Sequence, residues 1–214
     1  MAIAENGPGG YHRGRIGNIV YYKLKGQNIS RKIGRRTKPA SEKQLAHWAK
    51  MGLVPPFFKT VLEFINIGFS VEAAGTTKNP YNIAIALNFN EIITGNYPHL
   101  KIDYTKVILS KGVLKPAQNP LAELTAEGVR FKWDTNPQMA WPESADQVMM
   151  LAYFPLERET VYLPFGSDRL SGTDLLILPE ELLAKPMHVY LSFVSANRKR
   201  LSDSTYITGF NLAI

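Results

Sequence analysis

The feature that most constrains the fold is the spacing of short β-rich segments after Pro98. Runs rich in Val, Ile, Leu, Phe and Tyr recur there, separated by Gly, Pro, Asn or Asp. No helical pattern of about 10–15 residues lies between them, which argues against β-α-β units. Such spacing is typical of an antiparallel β-sandwich. The predicted strands are Lys106–Ser110, Gly128–Trp133, Gln147–Phe154, Thr160–Leu163, Leu175–Leu178, His188–Val194 and Thr205–Leu212.

Two details refine this prediction to a sandwich of fibronectin-III or immunoglobulin type. Trp133, at the end of the second predicted strand, has the position of a buried sandwich tryptophan. The approach from Leu178–Pro179 to the strand that contains Tyr190 is similar to that of fibronectin-III, where a tyrosine commonly occupies the penultimate strand. We therefore expect Trp133 and Tyr190 to lie in the core.

The first part of the chain predicts a β-hairpin. Residues 1–10 are Gly-rich and polar, so we expect a flexible lead-in there. A turn is predicted at residues 25–27, with a second short strand over residues 28–33. A lone two-stranded hairpin is marginal in water and needs a partner surface. In the first strand, period-two spacing places four apolar residues on one face: Ile16, Val20, Tyr22 and Leu24.

Helices are predicted after the hairpin. Ser41 and Gln44 match a capping box, and Pro55–Pro56 is expected to interrupt the helix that follows, because proline lacks the amide donor. A second helix is predicted over Phe57–Ile67, ended by Gly68, and a third from Pro80 to Thr94. We thus predict an α+β protein with two domains. Residues 1–98 form a basic β-hairpin arm and short helices, and residues 99–214 form the fibronectin-III/immunoglobulin-like antiparallel β-sandwich.

The positive charge is confined to the N-terminal part of the chain. The whole chain has 25 Lys and Arg, 18 Asp and Glu, and a formal net charge of +7. Residues 1–60 hold twelve of the cations and two acids, which gives +10, whereas residues 61–214 hold thirteen cations and sixteen acids, which gives −3. The basic character therefore belongs to the N-terminus alone.

The segment from Tyr11 to Lys38 contains no acidic residue and carries the candidate binding residues. Lys and Arg attract polyanions because they displace condensed counterions, and tyrosine rings stack on unpaired bases. Three interpretations stay open: a protein partner or self-association, which we favour, nucleic acid, and a solvated basic surface. The candidates for polyanion or partner binding are Arg13, Arg15, Tyr21, Tyr22, Lys23, Lys25, Arg31, Lys32, Arg35, Arg36 and Lys38.

No residue pattern indicates a catalytic site, a metal site or a cofactor. His12, His47, His99 and His188 lack a paired ligand spacing, so we expect single surface or hydrogen-bonded histidines. The chain has no cysteine and no Gly-x-Ser-x-Gly nucleophile motif. Trp141, in a predicted loop, is the best candidate for a carbohydrate contact, but one tryptophan is weak support. We expect a non-enzymatic protein without a cofactor.

The sequence has no feature of an exported or membrane-spanning chain. Its N-terminus lacks the apolar core of a secretory signal, and no apolar run is long enough to span a bilayer. We expect a cytoplasmic protein by default, and export by an unusual route stays open.

Three stretches of the chain resemble a bacterial family of uncharacterised function. They are Gly14–Tyr21 with the Lys–Gly turn that follows, the helix start Lys38–Leu45, and Ser110–Gly112 together with Phe193–Ala196 and Ser204–Tyr206. The resemblance would cover nearly the whole chain. It implies a basic hairpin, helices and a C-terminal sandwich in one chain, and it brings no known activity and no catalytic residues.

Overall fold

The structure is a computed structural model that describes residues 2–5, 10–35 and 37–212. The chain forms two compact units, residues 1–42 and residues 43–214. The strands are β1 Ala2–Glu5, β2 Tyr11–Ile16, β3 Ile19–Leu24, β4 Gln27–Lys32, β5 Ile93–Thr94, β6 Lys101–Ile102, β7 Leu121–Leu124, β8 Gly128–Lys132, β9 Gln147–Phe154, β10 Glu159–Leu163, β11 Thr173–Ile177, β12 Met187–Val194 and β13 Thr205–Phe210. The helices are α1 Glu42–Thr60, α2 Leu62–Gly68, α3 Ser70–Ala73, α4 Pro80–Asn88 and α5 Glu180–Leu183.

The N-terminal unit is a four-stranded antiparallel sheet in the order β1-β2-β3-β4. Strands β3 and β4 pair along their whole lengths, and the chain reverses between them at Lys25 and Gly26. Both turn residues have positive φ, 49° and 82°, as a two-residue type I′ hairpin turn requires. This turn lies within the predicted turn segment, and β1 and β2 extend the expected hairpin to four strands.

The predicted lead-in is partly ordered. Ala2–Glu5 forms β1 and pairs with β2, so the flexibility expected for residues 1–10 is wrong for these four residues. The pairing supplies backbone hydrogen bonds that a pattern search does not register. Residues 6–9 lie outside the described part of the chain.

The predicted face of the first strand also needs correction. Gly17 and Asn18 form a tight turn, and Ile16 pairs across it with Ile19. Paired residues share a face, whereas Ile19 and Val20 are successive and point to opposite faces. Ile16 therefore lies on the face opposite to Val20. The prediction was wrong because it continued the period-two alternation through the turn at Gly17 and Asn18.

Helix α1 runs through Pro55 and Pro56 without the predicted interruption. The prolines remove the donors that would reach the carbonyls of Met51 and Gly52, but both residues are exposed, where solvent can satisfy those carbonyls. Each interior proline costs about 3 kcal/mol, and each buried Val or Phe side chain returns about 1.5–3 kcal/mol. Burial on the other side of the helix therefore offsets the cost; the residues concerned are Val54, Phe57 and Phe58.

The segment Lys106–Ser110 is not part of a sheet, although a strand was predicted there. Its polar backbone groups are held by side chains from distant parts of the chain. The N–H of Ile108 donates to Asn88 Oδ1 (2.8 Å), and Asn88 Nδ2 donates to the Ile108 carbonyl (2.9 Å). The N–H of Leu109 donates to Ser204 Oγ (2.8 Å). These bonds replace the ladder that a neighbouring strand would provide.

The larger unit is built around a four-stranded antiparallel sheet in the order β10-β9-β12-β13. Every residue of β12 and all but the first of β9 are buried, because both faces of these strands are covered. One face packs with α1, α2 and α4 in a single core, to which the sheet contributes Met149, Leu151, Tyr153, Tyr190 and Val194. The other face shares a core with the three-stranded sheet β11-β8-β7. To this core the central sheet contributes the buried residues Val148, Met150, Ala152, Phe154, Met187, Val189, Leu191 and Phe193.

Trp133 and Tyr190 are both buried, as predicted. The other predicted strands from Gly128 onward correspond to β8 to β13, whereas β7 and α5 were not predicted. The result is a mixed α/β protein with several antiparallel sheets and, in the described residues, five helices.

The division of the chain differs from the predicted one. The boundary expected between residues 98 and 99 falls inside the larger unit, and the units divide after Glu42. The physical reason is that the helices of residues 43–98 cover one face of the central sheet and share its core. A change in sequence pattern marked the start of the β-rich part but not the edge of a core.

Candidate interaction surface

Strand pairing divides the side chains of the N-terminal sheet between two faces. Paired residues share a face and successive residues alternate, so the pairing of β2, β3 and β4 assigns each position to one face. The arginine face holds Tyr11, Arg13, Arg15, Val20, Tyr22, Leu24, Gln27, Ile29 and Arg31. The lysine face holds His12, Gly14, Ile16, Ile19, Tyr21, Lys23, Asn28, Ser30 and Lys32.

The arginine face combines cations with apolar and aromatic groups. Arg15 and Arg31 both pair with Val20, one on each side, so a guanidinium flanks this residue on both neighbouring strands. Tyr22 lies next along the same face of β3 and pairs with Ile29. This mixture suits a partner that offers negative charge and a flat apolar surface together.

The described side chains of the N-terminal unit form no interior. Among residues 10–35 and 37–42, none is buried. On the arginine face, Tyr11 is 61% exposed and Leu24 is 50% exposed, and Val20, Tyr22 and Ile29 are half-buried. Hydrophobic burial is the main favourable term in folding, and a sheet without it is marginal alone. Contact with a partner would supply that burial.

The described cations of this unit have no ion-pair partner among its described side chains. In the described residues of the unit, no Lys or Arg forms an ion pair with a carboxylate. Arg15 Nε donates to the carbonyl of Gly17 (2.9 Å), and the rings of His12 and Tyr21 lie 5.7 Å apart. Residues 1–42 contain nine Lys and Arg and two acids, so this unit holds the whole formal net charge of +7.

The structure brings most of the predicted binding residues onto one sheet but separates them by face. Lys25 lies in the β3–β4 turn, and Arg35 and Lys38 are exposed after β4. Arg36 lies outside the described residues. The arginine face takes Arg13, Arg15, Tyr22 and Arg31, and the lysine face takes Tyr21, Lys23 and Lys32.

Sequence reasoning missed the apolar residues that accompany the cations on the arginine face. Val20, Tyr22 and Leu24 were predicted to share one face of a hairpin but were not included among the candidate binding residues, apart from Tyr22. The charge pattern could have indicated this arrangement. When the alternation of side chains is counted separately for each strand, Arg13, Arg15 and Arg31 fall on the same face as these apolar residues.

The larger unit shows no convergence of the other polar residues that the sequence analysis considered. Within the described residues, no group of three or more His, Cys, Asp or Glu side chains is placed to hold a metal ion. His99 is exposed, and His188 is buried beside the hydroxyl of Tyr206, which agrees with single surface or hydrogen-bonded histidines. Trp141 is 80% exposed, as its predicted loop position requires.

A buried ion pair lies in the larger unit and has no sequence signature. Arg169 Nη2 is 3.4 Å from Asp146 Oδ2, and both residues are buried. Burial raises the pKa of Asp146 and lowers the pKa of Arg169. The guanidinium lies 3.7 Å from the ring centre of Phe193, and its Nη2 donates to the carbonyl of Lys115 (2.8 Å). The pair anchors the segment before β11 to the core of the two sheets.

The fold and its exposed surface define a class of protein. The chain is a mixed α/β protein of antiparallel sheets with a distinct basic β-sheet unit at its N-terminus. It belongs to a family of unknown function (DUF6266), whose sequence profile matches residues 11–208. This match confirms the resemblance to an uncharacterised family. No curated protein matches the chain. In the described residues, no helix is long and apolar enough to cross a membrane.

Proposed function

We propose that the chain is a non-enzymatic interaction protein whose N-terminal sheet docks on a protein partner. The observation that carries the proposal is a four-stranded sheet with no buried side chain in its described residues and nine cations against two acids in its unit. Such a sheet gains from a partner what it lacks alone: burial for Val20, Tyr22 and Leu24, and counter-charges for the arginines.

The first candidate partner is a second copy of the same chain, which would make the interaction a self-association. Residues 43–214 contain sixteen acids and sixteen cations, so a copy offers carboxylates without an excess of negative charge. In the described residues, β4 pairs only with β3, so its outer edge can also accept a further strand.

We further propose that β7 to β13 form a fibronectin-III-like sandwich that serves as the rigid body of the interaction protein. The strand orders β11-β8-β7 and β10-β9-β12-β13 support this assignment, because fibronectin-type sandwiches pair a three-stranded with a four-stranded sheet in this way. The core shared by the two sheets is a second support.

Light scattering tests self-association. We expect the full chain to have a mass above that of the monomer at low salt, and residues 43–214 to be monomeric. The double variant Arg15→Gln/Arg31→Gln removes two cations from the arginine face and should return the chain toward the monomer. The matched control Lys23→Gln/Lys32→Gln removes two cations from the lysine face of the same sheet. A monomer for the full chain at all concentrations, or equal effects of the two variants, contradicts docking through the arginine face.

Nucleic acid is the second candidate partner. The observation in its favour is that Tyr22 shares a face with Arg13, Arg15 and Arg31, since bases stack on aromatic rings while guanidinium groups contact phosphates. If these three arginines contact a single strand, the logarithm of the affinity should fall against the logarithm of salt concentration with a slope of about −2. Fluorescence anisotropy with single- and double-stranded DNA measures this slope, and no binding at low salt eliminates the candidate.

A further inference from the structure

A small pocket in the larger unit lies between α1, the segment that follows β6, and the turn after β9. Its volume is about 230 Å³. Only a small ligand fits such a space. The lining residues used below are Phe57, Tyr104, Tyr153 and Arg158.

The pocket has an aromatic wall. The ring centres of Phe57 and Tyr153 are 4.8 Å apart, those of Phe57 and Tyr104 5.6 Å, and those of Tyr104 and Tyr153 5.4 Å. The two contacts of Phe57 are edge-on, so the three rings pack against one another as one cluster beside the pocket. The Tyr190 hydroxyl donates to the carbonyl of Tyr104 (2.7 Å) and holds the backbone of that wall. A flat apolar ring is the shape that such a wall accepts.

Two phenol hydroxyls belong to the same wall. Burial, above all, raises the pKa of Tyr153, and the neighbouring Tyr104 raises it further. Burial also raises the pKa of Tyr104. The two side chains also hydrogen-bond with each other, so one hydroxyl proton is engaged between them and the other can be donated to an acceptor in the pocket.

A cation stands at the mouth of the pocket. Arg158 is exposed, lies in the turn between β9 and β10, and lowers the pKa of Tyr153, so its charge acts on that hydroxyl. In the described residues, Arg158 forms no ion pair, and the adjacent Glu157 is paired with Lys185 (3.4 Å). Arg158 also has a positive φ of 57°, which is uncommon for a residue with a long side chain. The pocket thus combines an aromatic wall with an uncompensated positive charge.

We propose that this pocket binds a small planar carboxylate, with the aromatic ring against Phe57, Tyr104 and Tyr153 and the carboxylate toward Arg158. Charge complementarity selects the anion, because Arg158 and two tyrosines are among the residues that line the pocket and no carboxylate lines it. The proposal concerns residues 43–214 alone and does not depend on what the N-terminal sheet binds.

Isothermal titration of the full chain with sodium benzoate tests the proposal. We expect saturable binding at one site, and binding of benzyl alcohol, which is neutral and of similar size, to be weaker by about tenfold. Arg158→Asn removes the cation and keeps a residue that tolerates positive φ, so it should weaken benzoate binding by about tenfold or more. Tyr153→Phe keeps the ring, removes one donor and should weaken binding by several-fold.

The matched control is Arg198→Asn. Arg198 is also an exposed arginine with a positive φ, 62°, but it stacks on Phe165 away from the pocket. This variant should bind benzoate like the wild type. No benzoate binding by the wild type at millimolar concentration overturns the proposal, and so does equal binding by the Arg158→Asn variant and the wild type. Circular dichroism of each variant checks that a lost signal does not come from unfolding.

Discussion

The imidazole of His188 is enclosed by aromatic side chains in the larger unit. It is 8% exposed, stacks on Tyr104 with 4.3 Å between ring centres, and has its Nδ1 3.2 Å from the hydroxyl of Tyr206. Burial lowers the pKa of His188 from 6.5 to about 4. As the pH falls below 6.5, His188 is therefore protonated in the unfolded chain but stays neutral in the folded chain, and folding stability decreases.

Replacement of His188 tests this linkage. The stability that the neutral imidazole contributes is complete above pH 6.5 and is lost between pH 6.5 and about 4, by about 3 kcal/mol at most. We expect the free energy of unfolding of His188→Gln, measured by urea titration, to fall less between these pH values than that of the wild type. His99→Gln changes an exposed histidine and should behave like the wild type. The same pH dependence in all three proteins would contradict the assignment.

At the scale of elements, two helical glycines differ in what surrounds them. Gly68 was predicted as a helix terminator, and it is the last residue of α2, but its main role is close packing. A Cβ at Gly68 would overlap the carbonyl oxygen of Leu109 and lie 2.8 Å from the Cβ of Ser110. The N–H of Lys111 donates to the Gly68 carbonyl (3.0 Å), which fixes this approach. Gly52 in α1 has nothing within 4 Å of a Cβ.

The same substitution should therefore have opposite effects at the two glycines. Gly68→Ala forces the 109–111 segment away from α2 and should lower the free energy of unfolding by about 1–3 kcal/mol. Gly52→Ala adds a better helix former in open space and should raise it by up to about 1 kcal/mol. Chemical unfolding of the two variants measures both changes. A loss at Gly52 equal to that at Gly68 would show that packing is not the deciding factor.

Sequence patterns predicted the helices and strands that are determined by residues close together in the sequence. Strands β9 and β12 were visible as apolar runs, and Asn79 with Pro80 marked the start of α4, where the Asn79 side chain accepts from the N–H of Asn82 (2.8 Å). Structure that depends on contacts between residues far apart in the sequence was not predicted. The segment Lys106–Ser110 depends on Asn88 and Ser204, and no local pattern contains these residues.

The candidate surface was predictable in composition but not in arrangement. The cations and tyrosines are evident in the sequence, whereas their division between two faces depends on the two-residue turn that pairs Ile16 with Ile19. A shift of one residue in that turn would move every side chain of one strand to the other face. Turn geometry, rather than charge, therefore decides which residues can act together.

At the scale of the whole molecule, the helices of residues 43–98 belong to the same core as the central sheet. Tyr153, Tyr190 and Leu151 of the sheet pack with Phe58 and Phe64 of the helices. Strands buried on both faces have no side that tolerates water. The β-rich part is therefore not independent of the helices that precede it in the chain.

Two fragments test this dependence. A fragment of residues 99–214 would expose one apolar face of β9 and β12, so we expect it to aggregate or to lack cooperative unfolding. A fragment of residues 43–214 keeps both cores and should be soluble, with one cooperative thermal transition. Size-exclusion chromatography and circular dichroism compare the two. Cooperative unfolding of the shorter fragment would contradict the shared core.

The absence of buried residues in the described part of the N-terminal unit has a consequence for how the chain tolerates change. Most large losses of stability come from cavities, overpacking or stranded polar groups inside a core. Side chains at positions 10–35 are outside any such interior, so selection there can act on recognition with little penalty in folding. If the sheet docks on a partner as proposed, variation among relatives at these positions should reflect changes of partner, while variation in β9 and β12 should reflect repacking of the core.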